Sequence, residues 1–206
     1  MILPILPFLL KFAAGLKSNC AACKELRTGI ETNLVKTYKQ NFGGGNTKWE
    51  EKSLGPWLTS ETRMVQTIDY ACKGDFKCST FLENYEDEIE EWFKSGPDSA
   101  PADQRKPFYP EICVKVSKAC CESETQFGKN CKECPTGING EVCHGRGKCE
   151  GGGDRNGKGT CKCDLGYTGK LCDTCATEKY FLKTEPSDTE KPECTRCFTG
   201  CKVSFS

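Results

Sequence analysis

The sequence predicts a small, disulfide-rich protein of more than one domain, in which an all-α N-terminal domain precedes a β-hairpin module. Two observations predict this class. Apolar residues recur with a helical period as far as Cys121, and no regular period follows. The chain has 206 residues and 18 cysteines, and 14 of those cysteines lie between Cys113 and Cys201. A segment so rich in cysteine has too few aliphatic residues for a large core, so it must be held by disulfides or metal ions.

The charge balance and the N-terminus indicate a protein of the secretory pathway. The 29 basic and 29 acidic side chains cancel, which argues against nucleic acid as a partner because phosphate binding needs a basic excess. The apolar stretch 2–16 contains Lys11 and is too short to span a bilayer, and no other segment predicts a membrane span. We expect residues 1–18 to be a cleaved signal peptide, although the missing basic start and two prolines leave a buried helix as the alternative.

Residues 19–120 are predicted to form a helical domain. Its first helix ends in the glycine-rich segment 42–46, and Ser60 is the expected N-cap of the second. A third helix follows Ser79 with an acidic outer face, which we interpret as solvated, with an acidic docking patch as the alternative. Pro110 is placed in the first turn of a final helix that runs through Cys120. The apolar stripes of the first three helices are Leu26, Ile30, Leu34, Tyr38 and Phe42; Met64, Val65, Ile68 and Ala71; and Phe81, Leu82, Tyr85, Ile89, Trp92 and Phe93.

A nested scheme can pair the six cysteines of this domain. The scheme joins Cys20 to Cys120, Cys23 to Cys113 and Cys72 to Cys78. The spacings Cys20/Cys23 and Cys113/Cys120 each place two sulfurs on one helical face, so the first helix would be stapled to the last. Three residues span about 4.5 Å of helix and seven about 10.5 Å, so the scheme requires Cys20 to lie on a turn ahead of the helix. The order of these cysteines resembles saposin-like domains, in particular the variant shared with the canopy proteins.

The segment Cys20-Ala21-Ala22-Cys23 also allows a redox interpretation. A CxxC motif at a helix N-terminus stabilises a thiolate, which is the attacking group in disulfide exchange. No βαβ pattern surrounds this motif, so its context is not that of thioredoxin. A Cys20–Cys23 disulfide would leave Cys113 and Cys120 to pair with each other or with Cys121. The spacing alone leaves the structural and the redox interpretations both open.

The C-terminal cysteines resemble those of an EGF-like module. A CxC motif at 161–163 is followed by GYTGKLC, which is the signature of that module. The resemblance implies the pairs Cys134–Cys149, Cys143–Cys161 and Cys163–Cys172. As in laminin-type EGF repeats, Cys121–Cys131 and Cys175–Cys194 would flank the module, which would span residues 121–175. Calcium binding is not expected, because the segment before Cys134 lacks the acidic ligand run of calcium-type modules.

Three other patterns in the sequence are interpreted without a ligand. Gly152-x4-Gly157-Lys158 is followed by Gly159, where a phosphate loop would need Ser or Thr to hold magnesium, so we expect an extended turn. His144 is expected to be a surface loop residue. CxxC units at 20/23, 131/134, 172/175 and 194/197 would suit zinc, but EGF-type pairing fits the intervening cysteines better. We therefore expect no metal and no cofactor.

The whole chain is similar to the cysteine-rich with EGF-like domains (CRELD) family. The residues that carry this resemblance run from about 19 to 201 and are Cys20-Ala-Ala-Cys23, NFGGGNTKWEEKSLG at 41–55, TSETRMVQTID at 59–69, EIEEWF at 88–93, CVKVSKACC at 113–121 and the EGF-like run. The family would continue through furin-like repeats, so residues 176–206 would be the start of a truncated furin-like repeat. Cys197 and Cys201 then have no evident partners.

The resemblance implies disulfide isomerase or chaperone-like activity on client proteins of the secretory pathway. It places the protein in the endoplasmic reticulum lumen, or secreted from it, and makes Cys20 and Cys23 the catalytic pair. Cys20 would attack a client disulfide and Cys23 would release the mixed disulfide. The alternative is a non-enzymatic binding or chaperone module in which the CxxC motif is purely structural. Its clients would be held by exposed aromatics, with Trp49, Trp57 and Phe108 as the candidates.

Overall fold

The computed structural model describes residues 20–95, 106–176 and 180–196, with a helical region (20–120) followed by a cysteine-rich region (121–196). No helix in these described ranges is long and apolar enough to cross a membrane. The α-helices are α1 Cys20–Thr37, α2 Thr47–Leu54, α3 Glu61–Ile68, α4 Phe76–Asn84 and α5 Glu86–Lys94. A 3-10 turn, Trp57–Thr59, precedes α3, and a π-helix, Tyr109–Val116, completes the region.

Helix α1 is the central element of the helical region, and it packs against α3, α4 and the π-helix. Leu26, Ile30 and Leu34 are buried on its inner face, as the stripe predicts. The predicted continuation through Tyr38 and Phe42 is wrong, because α1 ends at Thr37. Two distant side chains donate to carbonyls of the last turn, which a helix end leaves with fewer partners than its interior has. Trp57 Nε1 donates to Thr37 O at 3.0 Å, and Arg63 Nη2 donates to Leu34 O at 3.1 Å.

Arg63 is fully buried at this helix end, where its guanidinium is a hub of hydrogen bonds. Besides Leu34 O, Nη1 donates to Leu58 O at 2.7 Å and Nε to Thr37 Oγ1 at 3.1 Å. The guanidinium of Arg63 therefore links α3, which carries it, to α1 and to the 3-10 turn. The apolar stripe of the second helix did not predict a buried arginine, and Val65 of that stripe is 43% exposed.

Helices α3, α4 and α5 have well-defined starts. Ser60 caps α3 through its hydroxyl, which accepts from Arg63 N at 3.2 Å, so the predicted N-cap is confirmed. The predicted single helix behind Ser79 is wrong. Helix α4 begins earlier, at Phe76 behind its N-cap Asp75, and the helix is interrupted at Tyr85. Tyr85 leaves the helical conformation with φ −128° and ψ 24°, which ends α4 and starts α5. The acidic residues of this stretch lie on the outer face, as expected for a solvated surface.

The final helix is a π-helix, and it is shorter than predicted. It ends at Val116, and Ser117 N donates to Ile112 O at 2.9 Å, five residues back. Beyond it the chain folds back, so that Ala119 N and Cys120 N both donate to Cys113 O, at 3.0 and 2.9 Å. Cys120 is therefore brought next to Cys113 and does not lie two turns further along a helix.

The cysteine-rich region consists of short antiparallel hairpins. In chain order, β1 pairs with β2, β3 with β4, β5 with β6 and β7 with β8. The strands are β1 Gln126–Phe127, β2 Lys132–Glu133, β3 Gly147–Cys149, β4 Cys161–Cys163, β5 Tyr167–Thr168, β6 Thr174–Cys175, β7 Tyr180–Thr184 and β8 Glu193–Arg196. Ladders this short cannot hold a fold alone, so the disulfides must carry it.

His144 is buried in this region, so its prediction as a surface loop residue is wrong. Its Nε2 accepts from Ile138 N at 3.1 Å, and its Nδ1 lies 3.3 Å from Leu171 O. The imidazole thus occupies the inside of the 135–142 turn, against Gly137, where any Cβ would collide with the ring. The histidine fills a core position that a region with few aliphatic residues cannot fill otherwise.

We expect Arg63→Ala to lower the free energy of unfolding by about 3 kcal/mol or more, because three acceptors on α1 and the 3-10 turn lose their donor. Urea denaturation followed by circular dichroism measures this change. Lys115→Ala is the matched control, since that side chain is 64% exposed and pairs with Glu111. We expect it to change the free energy by less than about 0.5 kcal/mol. Equal changes in the two variants would contradict the structural role of Arg63.

Candidate functional site

Four cysteines of the helical region meet at the start of α1. Cys20 is bonded to Cys120 and Cys23 to Cys113, with Cα–Cα distances of 4.9 and 5.8 Å. Each sulfur of the CxxC motif is thus bonded to the end of the helical region, and not to the other sulfur of the motif. We call these two bonds the staple disulfides.

The staple disulfides form with Cys20 inside the helix, without the turn ahead of α1 that the unequal cysteine spacings predict. Cys20 is the first residue of α1, so the expectation that it lies ahead of the helix is wrong. The reason is the fold-back after the π-helix, which shortens the distance from Cys113 to Cys120 until it matches one turn of α1. All four cysteines are at most 1% exposed.

A loop of the cysteine-rich region covers the Cys20–Cys120 bond. The carbonyl oxygen of Gly153 lies 3.3 Å from Cys20 Sγ, and it accepts the Cys121 N–H at 2.8 Å. Arg155 holds the other side of this loop. Its side-chain Nε donates to Cys120 O at 3.0 Å, and its backbone N–H donates to Ala119 O at 3.2 Å. We call residues 151–155 the cover loop. Together with the 1% exposure of Cys20, the contact of Gly153 O with Cys20 Sγ indicates that the cover loop shields the Cys20–Cys120 bond.

Charged and phenolic side chains surround the cover loop. Lys24, one residue beyond the CxxC motif, forms an ion pair with Glu124, so its charge is shared and not free to act on Cys20 alone. The hydroxyl of Tyr109 donates to Cys121 O at 2.8 Å, and the guanidinium of Arg27 lies 5.6 Å from the centre of its ring. Burial raises the pKa of Tyr109.

A third disulfide of the helical region, Cys72–Cys78, closes the turn between α3 and α4. Its two residues are six apart in sequence, with a Cα–Cα distance of 5.4 Å. It is independent of the staple disulfides, because neither of its cysteines contributes to them.

The aromatics proposed as client contacts do not share one surface. Trp49 is 61% exposed, whereas Trp57 and Phe108 are buried, so the prediction for these two is wrong. Trp57 packs edge-on against Phe42 and caps α1, and Phe108 packs edge-on against Trp92. Both therefore belong to the core.

The cysteine-rich region has five disulfides among the described residues, and they are those that the EGF-like resemblance implies. They are Cys121–Cys131, Cys134–Cys149, Cys143–Cys161, Cys163–Cys172 and Cys175–Cys194. The sulfurs of Cys143, Cys161 and Cys172 lie within 4.8 Å of one another, a spacing that could suit a metal. All three are disulfide-bonded, however, so this arrangement offers no thiolate ligand. Cys197, Cys201 and the predicted signal peptide lie outside the described residues.

Comparison with known proteins identifies the family. The chain is 38% identical over 199 residues to "Protein disulfide isomerase crld-1" of Caenorhabditis elegans, an alignment that covers 88% of this chain and 52% of the relative. "Protein disulfide isomerase CRELD2" of Homo sapiens is 37% identical over 98% of this chain and 56% of the relative. "Cysteine-rich with EGF-like domain protein 2-A" of Xenopus laevis is 36% identical over 97% and 53%. The chain belongs to the CRELD family.

The CRELD assignment rests on these full-length relatives, and the chain spans about half of their length. No family model matches the chain, and no solved structure gives a significant match.

The sequence placed the CxxC motif but missed the residues that control access to it. Glu124, Gly153 and Arg155 belong to a region interpreted separately from the helices, so nothing connected them with Cys20. The available signal is the glycine run 151–153, because a run of glycines permits close packing against another backbone as well as a turn. Glycines permit close approach between backbones, and here Gly152 lies so close to Glu124 that any Cβ would be 2.3 Å from its carbonyl oxygen.

We expect Gly152→Ala to make the Cys20–Cys120 bond more accessible, because the added methyl must push the cover loop away from the Glu124 backbone. A displacement cost of about 1–2 kcal/mol would accelerate reduction of this bond by about 5- to 30-fold. Timed reduction with dithiothreitol, alkylation and peptide mapping measure the rate. Leu165→Ala is the control, since that side chain belongs to the same region and is 89% exposed. A rate for Gly152→Ala that matches the control would show that the cover loop does not limit access.

Proposed function

We propose that this chain catalyses thiol–disulfide exchange on client proteins of the secretory pathway through Cys20 and Cys23. The relatives named protein disulfide isomerase support the class of reaction. The observation that carries the proposal is the nesting of the staple disulfides. While Cys23–Cys113 remains closed, Cys20–Cys120 closes a ring made only of the stretches 20–23 and 113–120. A bond across so small a ring adds far less chain-entropy stabilisation than a bond across the whole region.

The nesting therefore lets one bond open while the other keeps α1 in place. A low-molecular-weight thiolate such as glutathione attacks Cys120 Sγ, forms a mixed disulfide there and releases Cys20 as a thiolate. The Cys20 thiolate then attacks a client disulfide, so that one client sulfur bonds to Cys20 and the other leaves as a thiolate. Another client thiolate then attacks the client sulfur of the Cys20–client disulfide. This step restores the Cys20 thiolate and leaves the client with a new disulfide pairing. Release by Cys23 additionally requires that Cys23–Cys113 be open.

The position of Cys20 supports its role as the attacking group. It is the first residue of α1, where the N–H groups and the helix dipole favour a thiolate. Cys23 lies one turn further into the helix. Lys24 is paired with Glu124, so it offers the Cys20 thiolate only part of its charge once the bond opens.

The complete burial of all four sulfurs favours a second candidate function. In this alternative the CxxC motif is purely structural, and the chain is a non-enzymatic binding or chaperone module. The two candidates differ in whether a free Cys20 thiol adds activity.

We further propose the finer architecture that the resemblance implies. Residues 1–18 would be a signal peptide, and 19–120 a saposin- or canopy-like domain whose boundary falls between Cys120 and Cys121. Residues 121–175 would be a laminin-type EGF-like module, and 176–206 the start of a furin-like repeat. The five disulfides of the cysteine-rich region support the EGF-like assignment. The family supports residence in the endoplasmic reticulum lumen or secretion from it.

The two candidate functions are separated by a matched pair of variants. Cys120→Ser removes the outer staple and leaves Cys20 as a free thiol, whereas the double variant Cys20→Ser plus Cys120→Ser removes the same staple and the thiol. Because the ring is small, we expect both to lose about 2–3 kcal/mol of stability. The assay is reactivation of scrambled ribonuclease in a glutathione buffer, with peptide mapping of trapped mixed disulfides.

We expect Cys120→Ser to reactivate ribonuclease several-fold faster than the double variant and to form a mixed disulfide at Cys20. The reason is that only this variant presents the attacking sulfur. Equal rates in the two variants, with no client bound at Cys20, would refute the catalytic role and favour the structural candidate. Thermal unfolding of both variants checks that they are equally folded.

A further inference from the structure

The Cys72–Cys78 disulfide differs from the staple disulfides in its access to solvent. Cys72 is 6% exposed, whereas the other five cysteines of the helical region are at most 1% exposed. Cys72 also lines a cavity of about 480 Å³, within the usual size range of ligand pockets. The other lining residues are Ala21, Ala22, Glu25, Lys73, Asp75 and Lys77.

Two strongly exposed aromatic side chains flank this disulfide. Tyr70 is 78% exposed and precedes Cys72 by two residues, and Phe76 is 81% exposed and precedes Cys78 by two residues. Neither side chain lines the cavity itself, but each places an exposed apolar surface two residues before a cysteine of the pair, where it can contact another apolar group. An unfolded polypeptide offers such groups, and it also offers the cysteines that a disulfide can react with.

We propose that Cys72–Cys78 is a second thiol-exchange site, which takes a cysteine-bearing segment of an unfolded client held by Tyr70 and Phe76. The inference rests on the proposed function, because it assumes that the chain exchanges disulfides with clients. It assigns a separate pair of sulfurs and a contact surface to that exchange.

The chemistry begins with attack of a client thiolate on Cys72 Sγ, since Cys72 faces the cavity and Cys78 is buried. The Cys72–Cys78 bond breaks, Cys78 leaves as a thiolate, and the client is bonded to Cys72. A second client thiolate then attacks the client sulfur of this mixed disulfide, which forms a client disulfide and releases the Cys72 thiolate. The client has lost two electrons and the Cys72/Cys78 pair has gained them. A low-molecular-weight disulfide such as oxidised glutathione restores the pair.

Cys78 lies in the first turn of α4, where the helix dipole favours a thiolate, while the Asp75 carboxylate that accepts the Cys78 N–H at 2.7 Å opposes it. The choice of Cys78 as the leaving group therefore rests on the access of the client to Cys72. The charged groups that line the cavity are the cations Lys73 and Lys77 and the acids Glu25 and Asp75, so the wall is balanced in charge. Selection of clients therefore depends on the aromatic contacts and the thiol, and not on net charge.

Opening this bond also disturbs the fold less than opening both staple disulfides. Cys72–Cys78 closes a short turn, while the staple disulfides close loops with sequence separations of 100 and 90 residues. When the short bond opens, α1 stays attached to the end of the helical region. A site that must open and close in each cycle is best placed where the fold does not depend on it.

The first test uses the wild-type chain. The protein is equilibrated in mixtures of reduced and oxidised glutathione, quenched by alkylation and mapped by mass spectrometry. We expect Cys72–Cys78 to open in buffers that leave both staple disulfides closed, with the glutathione adduct at Cys72 and not at Cys78. A Cys72–Cys78 bond that opens only together with the staple disulfides would overturn the proposal.

A matched pair of variants tests which sulfur is reactive. Cys78→Ser leaves the Cys72 thiol and Cys72→Ser leaves the Cys78 thiol, so both lack the same disulfide. Incubated with scrambled ribonuclease, Cys78→Ser should form the mixed disulfide at the freed cysteine about tenfold faster or more, because only Cys72 faces the cavity. Equal rates at the two cysteines would count against the site.

The aromatic contacts are tested in the Cys78→Ser background. Adding Tyr70→Ser and Phe76→Ser should lower capture of ribonuclease several-fold and leave the rate with glutathione unchanged. Leu165→Ser is the control, since that side chain is 89% exposed and belongs to the cysteine-rich region. Unchanged capture would overturn the assigned client surface. Capture at Cys72 together with an inactive Cys20 would refute the proposed role of Cys20 and leave the Cys72–Cys78 site standing.

Discussion

Cys120 and Cys121 are neighbours in the chain, and their disulfides run in opposite directions. One returns to Cys20 at the start of α1, and the other closes onto Cys131 in the first hairpin. The backbone between them is held by Gly153 and Arg155, which hydrogen-bond to Cys121 and Cys120. The beginning of the helical region, its end and the first hairpins are thereby fixed at one point. The cover loop lies over Cys20 because of this junction.

The helical region needs such a constraint because its elements are short. Helices α2 to α5 have eight or nine residues each, a length at which an isolated helix is marginal in water. Helices α3 and α4 pack directly on α1, and α5 packs on α4 and the π-helix. The start of α1 is held by the staple disulfides, and its end is contacted by Trp57 and Arg63. Covalent bonds and a buried guanidinium thus act at opposite ends of the same helix.

The sequence predicted what depends on local pattern and on cysteine spacing. It placed the buried face of α1, the Ser60 cap and the division into a helical and a hairpin region. It did not predict the end of α1, because that end depends on donors from Trp57 and Arg63, far along the chain. The fold-back after the π-helix could not be predicted from the sequence either, because it does not follow any helical or strand period. His144 was misplaced because a lone histidine in a glycine-rich turn gives no sign that its ring fills the core.

A protein that is built from disulfides and is proposed to exchange them would face a conflict, because the bonds that hold the fold would also be the reagents. In the described helical region the disulfides differ in burial and in the length of chain that each one closes. The staple disulfides are buried and nested, so either one can hold α1 while the other is open. Cys72–Cys78 closes only a short turn beside a cavity, so its loss frees little of the chain. Reactivity should therefore be higher at Cys72–Cys78 than at either staple disulfide, because the fold depends least on that bond.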